Sequence, residues 1–219
     1  MVFNNQMGRK FLVFGIWMLF LVGFVSAYSE CSTMNCTTTE LNSGNSVKLI
    51  SNISISSYAF YQIDKSNIEL DCNGYYVKSP RTYPSGFNFT SISNLTLQNC
   101  NFEGGLTVWL IDSEDSTIAN NYFNGRFSNL MISGTGGNII RNNHFKSEYD
   151  SYIGGENNLI ESNNFENYTT DTPSGLYLYG KGNRMIHNII YSFENEASDG
   201  YIYNNTWAGM SYLPGAINN

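Results

Sequence analysis

The stretch "IIRNNHF" at 139–145 decides how this chain is interpreted, because close variants of it recur along the sequence. Each copy runs from aliphatic residues through polar residues and asparagines to an aromatic residue. The copies show neither alternating charges nor the i, i+3, i+4 apolar spacing of a helix. The other copies are "NLTLQNCNF" at 94–102, "STIANNYF" at 116–123, "LIESNNF" at 159–165 and "YIYNNTW" at 201–207.

The spacing of these copies predicts a solenoid. The aliphatic residues that precede the asparagines stand 21, 22 and 20 residues apart, and the phenylalanines keep step with them. A period near 21 is typical of repeat proteins, and helical repeats are usually longer. Short pieces such as "LTVWL" and "NLMIS" alternate apolar and polar residues, which indicates strands. The two series are Leu97, Ile118, Ile140, Ile160 and Phe102, Phe123, Phe145, Phe165.

A coil of about 21 residues with three short strands and three turns is one rung of a parallel β-helix. Successive rungs stack about 4.8 Å apart, so equivalent strands bond to each other. We expect the aliphatic and aromatic residues to point inward. The asparagines turn the corner, because Asn tolerates the left-handed backbone region, and their amides stack along the axis.

Composition agrees with a single folded domain of 219 residues. Aromatic residues make up 15% and charged residues only 13%, and we count 31 asparagines. A chain so rich in aromatic and aliphatic residues is not a disordered polar chain. The net charge of −7 excludes nucleic acid as an expected partner, because phosphate contacts depend on clustered Lys and Arg.

The first residues predict export. Arg9 and Lys10 precede the apolar run "FLVFGIWMLFLVGFV", and Ala27 ends a small-residue segment. This is the pattern of a cleaved signal peptide over 1–27, and the run is short for a membrane span. An uncleaved anchor is the alternative. We then expect a capping segment at 28–65 and a β-helix with a C-terminal cap at 66–219, in a protein that is secreted or at the cell surface.

Export makes the cysteines Cys31, Cys36, Cys72 and Cys100 disulfide candidates. Four cysteines allow three pairings, and the sequence does not select one. Cys31 and Cys36 are close enough in the sequence to form a local disulfide. Metal binding lacks support, because neither a C-x-x-C spacing nor a neighbouring His accompanies them.

The segments "NIELDCNGYYV", "NLTLQNCNF" and the NN-x-F units resemble the right-handed parallel β-helix repeat family, the pectate-lyase-like superfamily of surface carbohydrate-binding and sugar-hydrolase repeats. The resemblance covers about 66–207. It implies an all-β fold, a right-handed single-stranded parallel β-helix (solenoid) of about six to seven coils. It does not assign a reaction, since this fold serves many functions.

No catalytic residue is predicted. The carboxylate and basic motifs of the superfamily's hydrolases and lyases, such as N-T-D, adjacent D-D and G-H-G, are missing. Arg141 and Glu161 follow equivalent aliphatic residues and are interpreted as an exposed ion pair. His144 is interpreted as a turn residue, and neither His144 nor His187 is interpreted as a metal ligand. No cofactor is predicted; Ca²⁺ is not indicated by any residue pattern.

Variable loops suggest where a ligand binds. Very different lengths separate each phenylalanine from the next strand, as in "KSEYDSY" and "ENYTTDTPSG". In solenoids such insertions often mark the binding face. Aromatic rings beside carboxylates suit sugars. The predicted ligand-binding residues are Tyr83, Tyr149, Asp150, Tyr168 and Asp171.

The sequence leaves three function hypotheses open. The first is a non-catalytic structural or carbohydrate-binding surface module, with a polysaccharide or cell-surface glycan as partner. The second is a polysaccharide lyase or glycoside hydrolase with a non-standard site. The third is a component that assembles through exposed coil ends. The oligomeric state is not predicted.

Overall fold

The computed structural model describes residues 27–55, 58–80, 84–127, 129–167, 175–207 and 211–212. These residues form a parallel β-helix of eight coils, and each coil contributes one strand to each of three sheets. The predicted fold class is therefore confirmed. Residues 1–26 of the predicted signal peptide lie outside the described residues.

The first sheet has nine strands, which pair in parallel in the order of the chain. They are β1 (Ser29–Cys31), β2 (Val47–Leu49), β5 (Glu69–Asp71), β8 (Thr96–Gln98), β11 (Thr117–Ala119), β14 (Ile139–Arg141), β17 (Leu159–Glu161), β20 (Arg184–Ile186) and β23 (Tyr201–Tyr203).

The second sheet has eight strands, which follow the first-sheet strands around the coil. They are β3 (Ile53–Ser54), β6 (Tyr76–Lys78), β9 (Asn101–Gly104), β12 (Tyr122–Gly125), β15 (His144–Ser147), β18 (Asn164–Asn167), β21 (Ile189–Ile190) and β24 (Thr206–Trp207).

The third sheet also has eight strands and completes each coil. They are β4 (Phe60–Ile63), β7 (Ser85–Thr90), β10 (Leu106–Ile111), β13 (Leu130–Ser133), β16 (Ser151–Ile153), β19 (Leu176–Lys181), β22 (Phe193–Ser198) and β25 (Ser211–Tyr212).

The structure has more coils than the six or seven predicted, because the first coil begins inside the segment predicted as a cap. Strands β2, β3 and β4 pair in register with the second coil. This first coil has no copy of the asparagine–aromatic signature, so the sequence pattern did not reveal it. The other predicted domain boundaries stay predictions.

A short helix, α1 (Met34–Asn42), precedes the first coil and packs on it. The Thr33 side chain caps its N-terminus by accepting a hydrogen bond from the Cys36 backbone N–H at 3.2 Å. Met34 and Leu41 bury the apolar side of the helix. A Cys31–Cys36 disulfide joins β1 to the first turn of the helix.

The phenylalanines form a single stack inside the tube. Phe102, Phe123, Phe145 and Phe165 are all buried, and consecutive ring centroids are 5.0, 4.8 and 4.7 Å apart. Their spacing matches the distance of about 4.8 Å between neighbouring strands, so each ring packs on the equivalent ring of the next coil. The prediction of one interior aromatic series is confirmed.

The corner between the first and second sheets carries a ladder of buried amides. Each Nδ2 donates to the Oδ1 of the equivalent Asn one coil on, at 2.9 to 3.0 Å. The same Oδ1 also accepts the backbone N–H of the preceding coil's Asn, at 2.8 to 3.0 Å. Each rung thereby satisfies buried polar groups at the turn. The ladder comprises Asn121, Asn143, Asn163, Asn188 and Asn205.

The residue before each ladder amide makes the turn. Asn120, Asn142, Ser162, His187 and Asn204 all have φ between 54 and 57°. Asn adopts this left-handed region more readily than most residues, which explains its frequency here. The paired asparagines of the repeat thus divide two tasks, since one bends the backbone and the next bonds along the axis.

A second ladder, which was not predicted from the sequence, lies at the corner between the third and first sheets. Asn138 Nδ2 donates to Asn158 Oδ1 at 3.1 Å, and Asn158 Nδ2 to Asn183 Oδ1 at 3.0 Å. Ser116 occupies the next position, where its backbone N–H donates to Asn138 Oδ1 at 3.1 Å. Two of the three corners are therefore fixed by stacked amides.

The second disulfide, Cys72–Cys100, extends the first ladder toward the N-terminus. The Cys100 backbone N–H donates to Asn121 Oδ1 at 3.0 Å, as a ladder Asn would. Both sulfurs belong to buried residues on adjacent coils. The structure therefore selects, from the three pairings left open, Cys31 with Cys36 and Cys72 with Cys100.

Candidate functional site

The third corner, between the second and third sheets, is where connection lengths vary. Gly105 alone joins β9 to β10, 148–150 joins β15 to β16, and 168–175 joins β18 to β19. The variable connections predicted from the sequence therefore do fall between equivalent strands of successive coils. Of the residues predicted there, Tyr83, Tyr168 and Asp171 lie outside the described residues, and Tyr149 and Asp150 are described.

A cleft of about 230 Å³ opens beside this corner on the outer face of the third sheet. Two adjacent strands, β10 and β13, supply its floor, and the corner connections of the second, fourth and fifth coils supply its sides. It draws its residues from four consecutive coils. The lining residues are Pro84, Thr107, Trp109, Phe127, Met131 and Tyr149.

The floor of the cleft is set by strand alternation. In β10, Val108 and Leu110 are buried in the tube, so Trp109 between them projects outward. The Trp109 ring stacks on Phe60 with centroids 4.4 Å apart and planes 25° apart. Gly86 pairs with both Phe60 and Thr107 in the sheet. The Trp109–Phe60 contact joins the first and third coils, and a Cβ on Gly86, in the coil between them, would collide with the backbone carbonyl of Thr107.

The side of the cleft is formed by two parallel rings. The Phe127 and Tyr149 rings are 6.2 Å apart between centroids, with planes only 6° apart. Arg126 and Glu148, the residues before each ring, form an ion pair with Nε to Oε2 at 3.2 Å. The Arg126 guanidinium carbon also lies 6.0 Å from the Phe127 ring centroid. Matching residues of two coils thus hold the two rings in register.

Two polar groups beside the cleft lack a partner within the described residues. They are the hydroxyl of Thr107, a residue only 2% exposed, and the indole N–H of Trp109. Buried hydroxyl and N–H groups are normally hydrogen-bonded, because an unpaired one costs about 1–3 kcal/mol. Both atoms are covered in this structure, so the surface that a ligand would meet in the cleft is mainly apolar and aromatic.

The Asp150 carboxylate is tied to the next coil. Its Oδ1 accepts a hydrogen bond from the Gly175 backbone N–H at 2.7 Å. Burial raises the pKa of this carboxyl, and the bond from Gly175 partly opposes that rise. Asp150 therefore joins neighbouring coils at a corner that has no amide ladder. Its predicted role in ligand binding stays a prediction.

An aromatic series continues from the cleft along the outer face of the third sheet. Trp109 pairs with Met131, Met131 with Tyr152, and Tyr152 with Tyr177. The rings of Tyr152 and Tyr177 are 5.4 Å apart between centroids. We call Trp109, Met131, Tyr152 and Tyr177 the outer file. The outer file was not predicted, although the alternation of "LTVWL", "NLMIS" and "LYLYG" contains three of its members.

The other residues weighed from the sequence lie elsewhere. Arg141 and Glu161 are register partners on the first sheet, with Gln98 and Ala119 in the same series, but the expected ion pair does not form within 4.0 Å between these two described residues. His144 lies on the second sheet, where its Nε2 is 2.8 Å from Glu166 Oε2. That hydrogen bond lowers the pKa of Glu166. His144 begins a strand and does not turn a corner.

The described residues contain no group of three or more His, Cys, Asp or Glu side chains arranged to hold a metal ion. Within the same residues, no helix is long and apolar enough to cross a membrane.

No protein-family model and no curated protein matches the chain. Among solved structures, a crystal structure of an alginate lyase from Paenibacillus sp. str. FPU-7 matches with 13% sequence identity and a TM-score of 0.25. The match covers 87% of this chain and 98% of that chain. A likeness of this size says nothing about substrate.

Proposed function

We propose that this protein is an exported, non-catalytic β-helix module that binds glycans through the cleft and the outer file. The observation that carries the proposal is the ring arrangement in the cleft, with Trp109 on the floor and Phe127 and Tyr149 parallel at the side. Sugar rings present apolar C–H faces with hydroxyl rims. Flat aromatic side chains with a few hydrogen-bonding groups suit both parts of such a ligand.

The direction of the outer file favours a linear ligand. Its four members belong to consecutive coils, about 4.8 Å apart, so the file extends about 14 Å along the tube axis. A chain of sugars laid along the axis would contact one member after another. A small compact ligand would use only the cleft.

Binding is favoured over cleavage by the residues of the cleft itself. Hydrolysis of glycosidic bonds usually needs two carboxyl groups that flank the bond. The six residues that line the cleft are apolar, aromatic or hydroxyl-bearing, and none carries a carboxylate. The floor and side of the cleft thus supply contact area but lack an acid–base pair.

The two disulfides support an extracellular setting. Disulfides form and persist in secreted and surface proteins and are rare in the reducing cytosol. This agrees with the signal peptide predicted for 1–27.

The test is a glycan array with the folded chain, run with CaCl₂ and again with EDTA. We expect linear glycans to bind, and Trp109→Ala and Tyr149→Ala each to weaken binding by about tenfold or more, as central aromatic contacts do. Thermal unfolding of each variant, followed by circular dichroism, separates lost binding from lost structure.

Tyr203→Ala is the matched control, because Tyr203 on the first sheet is 52% exposed and Tyr149 is 54% exposed. Unchanged binding in the Trp109 and Tyr149 variants, or an equal loss in the control, would contradict the proposal. Release of new reducing ends or unsaturated products from a bound glycan would contradict the non-catalytic part.

A further inference from the structure

The outer face of the third sheet becomes acidic one coil beyond the end of the outer file. Tyr177 pairs with Glu194, and Tyr179 with Glu196. In β22 buried and exposed residues alternate, and both glutamates are exposed. Because alternate residues of a strand point to the same side, the two carboxylates share the face that carries the file.

The charges of these glutamates affect the pKa values of the tyrosines on this face. A hydrogen bond to Glu196, then burial and the negative charges of Glu196 and Glu194, together raise the pKa of Tyr177 to about 12. The pKa of Tyr152 is raised by burial first, and then by the charges of Asp150 and Glu194. The negative potential therefore extends over two coils of the outer file.

Two basic residues near this face, Arg126 and Lys181, already form ion pairs. Arg126, beside the cleft, is paired with Glu148 at 3.2 Å. Lys181, at the end of β19, has its Nζ 3.3 Å from Asp199 Oδ2. A carboxylate on a ligand would therefore approach Glu194 and Glu196, while both of these described neighbouring cations are already paired with carboxylates of the protein. The net charge of the whole chain, −7, acts in the same direction.

We infer, on the basis of the proposed function, that this surface selects glycans that carry no carboxylate groups. Like charges placed across an interface disfavour the wrong partner. A uronate polymer would bring one such charge with every sugar. The hydroxyl groups of an uncharged sugar instead donate to carboxylates in charge-assisted hydrogen bonds.

The experiment measures the affinity of the full chain for three matched pairs of hexamers by isothermal titration calorimetry. They are a cello-oligosaccharide and its uronate, a manno-oligosaccharide and its uronate, and an oligogalacturonate as methyl ester and as free acid. At about 10 mM salt, where the Debye length is about 30 Å, we expect the uncharged member of each bound pair to bind about tenfold tighter. At about 1 M salt that preference should shrink.

The double variant Glu194→Gln/Glu196→Gln should remove most of the preference by strengthening uronate binding. Glu114→Gln/Glu161→Gln is the matched control, because it removes the same charge from side chains of the first-sheet side. We expect it to leave the preference unchanged. This contrast separates a local effect from the effect of net charge.

The outcomes distinguish this inference from the proposed function. If uronates bind as tightly as their uncharged partners, with or without Ca²⁺, and Trp109→Ala weakens the binding of both, the inference alone is overturned. If no pair binds, or if Trp109→Ala leaves binding unchanged, the proposed function fails and the inference fails with it.

Discussion

Two kinds of corner in the same coil behave differently. At the corner between the first and second sheets, each turn from Asn121 to Asn205 has one left-handed residue followed by one ladder amide, which is buried in every coil but the last. At the corner between the second and third sheets, the connection ranges from Gly105 alone to the eight residues 168–175. The stacked amides require the same number of residues in the turn of every coil. The corner between the second and third sheets has no ladder, so its connection can vary in length.

This difference explains where the candidate site lies. An insertion at a ladder corner would displace an amide that two other coils depend on. An insertion at the variable corner only lengthens a surface connection, so Phe127 and Tyr149 can project there beside the regular face of the third sheet. The two ladder corners stabilise the β-helix, and the corner between the second and third sheets carries the connections that vary between coils.

Insertion of Gly-Ser at each kind of corner should give the largest contrast. Between Asn142 and Asn143 it separates the turning residue from the ladder amide, and we expect no cooperative unfolding transition. Between Tyr191 and Ser192, at the variable corner of the seventh coil, we expect a loss below about 1 kcal/mol, because doubling a loop costs about 0.6 kcal/mol. Urea denaturation followed by circular dichroism measures both; equal losses would contradict the distinction.

Replacement of one ladder amide should have the next largest effect. Asn163 accepts two hydrogen bonds from Asn143 and donates to Ile140 O and Asn188 Oδ1. Asn163→Leu leaves these buried groups unpaired, so we expect a loss of about 3 kcal/mol or more in the free energy of unfolding.

The control is Asn124→Leu, an outward position of β12, for which we expect a change within about 0.5 kcal/mol. If Asn163→Leu were no more harmful than Asn124→Leu, the ladder would not stabilise the corner.

A small, pH-dependent effect is expected at the variable corner. Burial raises the pKa of the Asp150 carboxyl, so the folded state favours its protonated form. The ionised group therefore costs stability at neutral pH, and this cost disappears as the pH falls below the carboxyl's ordinary range. Asp150→Asn keeps an oxygen for the Gly175 N–H.

We expect Asp150→Asn to be slightly more stable than the parent at pH 7 and to show no gain near pH 3. Unfolding free energies at the two pH values provide the check. A gain of equal size at both would mean that ionisation of Asp150 is not its source.

The repeat allowed much of the fold to be predicted, because ladder corners fix the spacing of Phe123, Phe145 and Phe165. The first coil escaped notice because 47–63 contains no asparagine–aromatic copy. The second ladder was not predicted because Asn138, Asn158 and Asn183 precede the aliphatic residues, whereas the recurring copies are defined by the asparagines that follow them.

The candidate site was only partly predictable. Tyr149 followed from loop length, and strand alternation could have placed Trp109 and Met131 outside the tube. The parallel rings of Phe127 and Tyr149, and the stack of Trp109 on Phe60, depend on distances between coils. The sequence period gives the order of the coils but not which outward side chains meet.

Amide hydrogen exchange with and without a bound linear glycan tests the central claim most directly. We predict slower exchange on binding at Arg126–Phe127 and Glu148–Asp150 in the variable corner, and unchanged exchange at the ladder residues Asn121 and Asn143. Protection of the outer faces of the first or second sheet, with none at the variable corner, would contradict the assignment of the site.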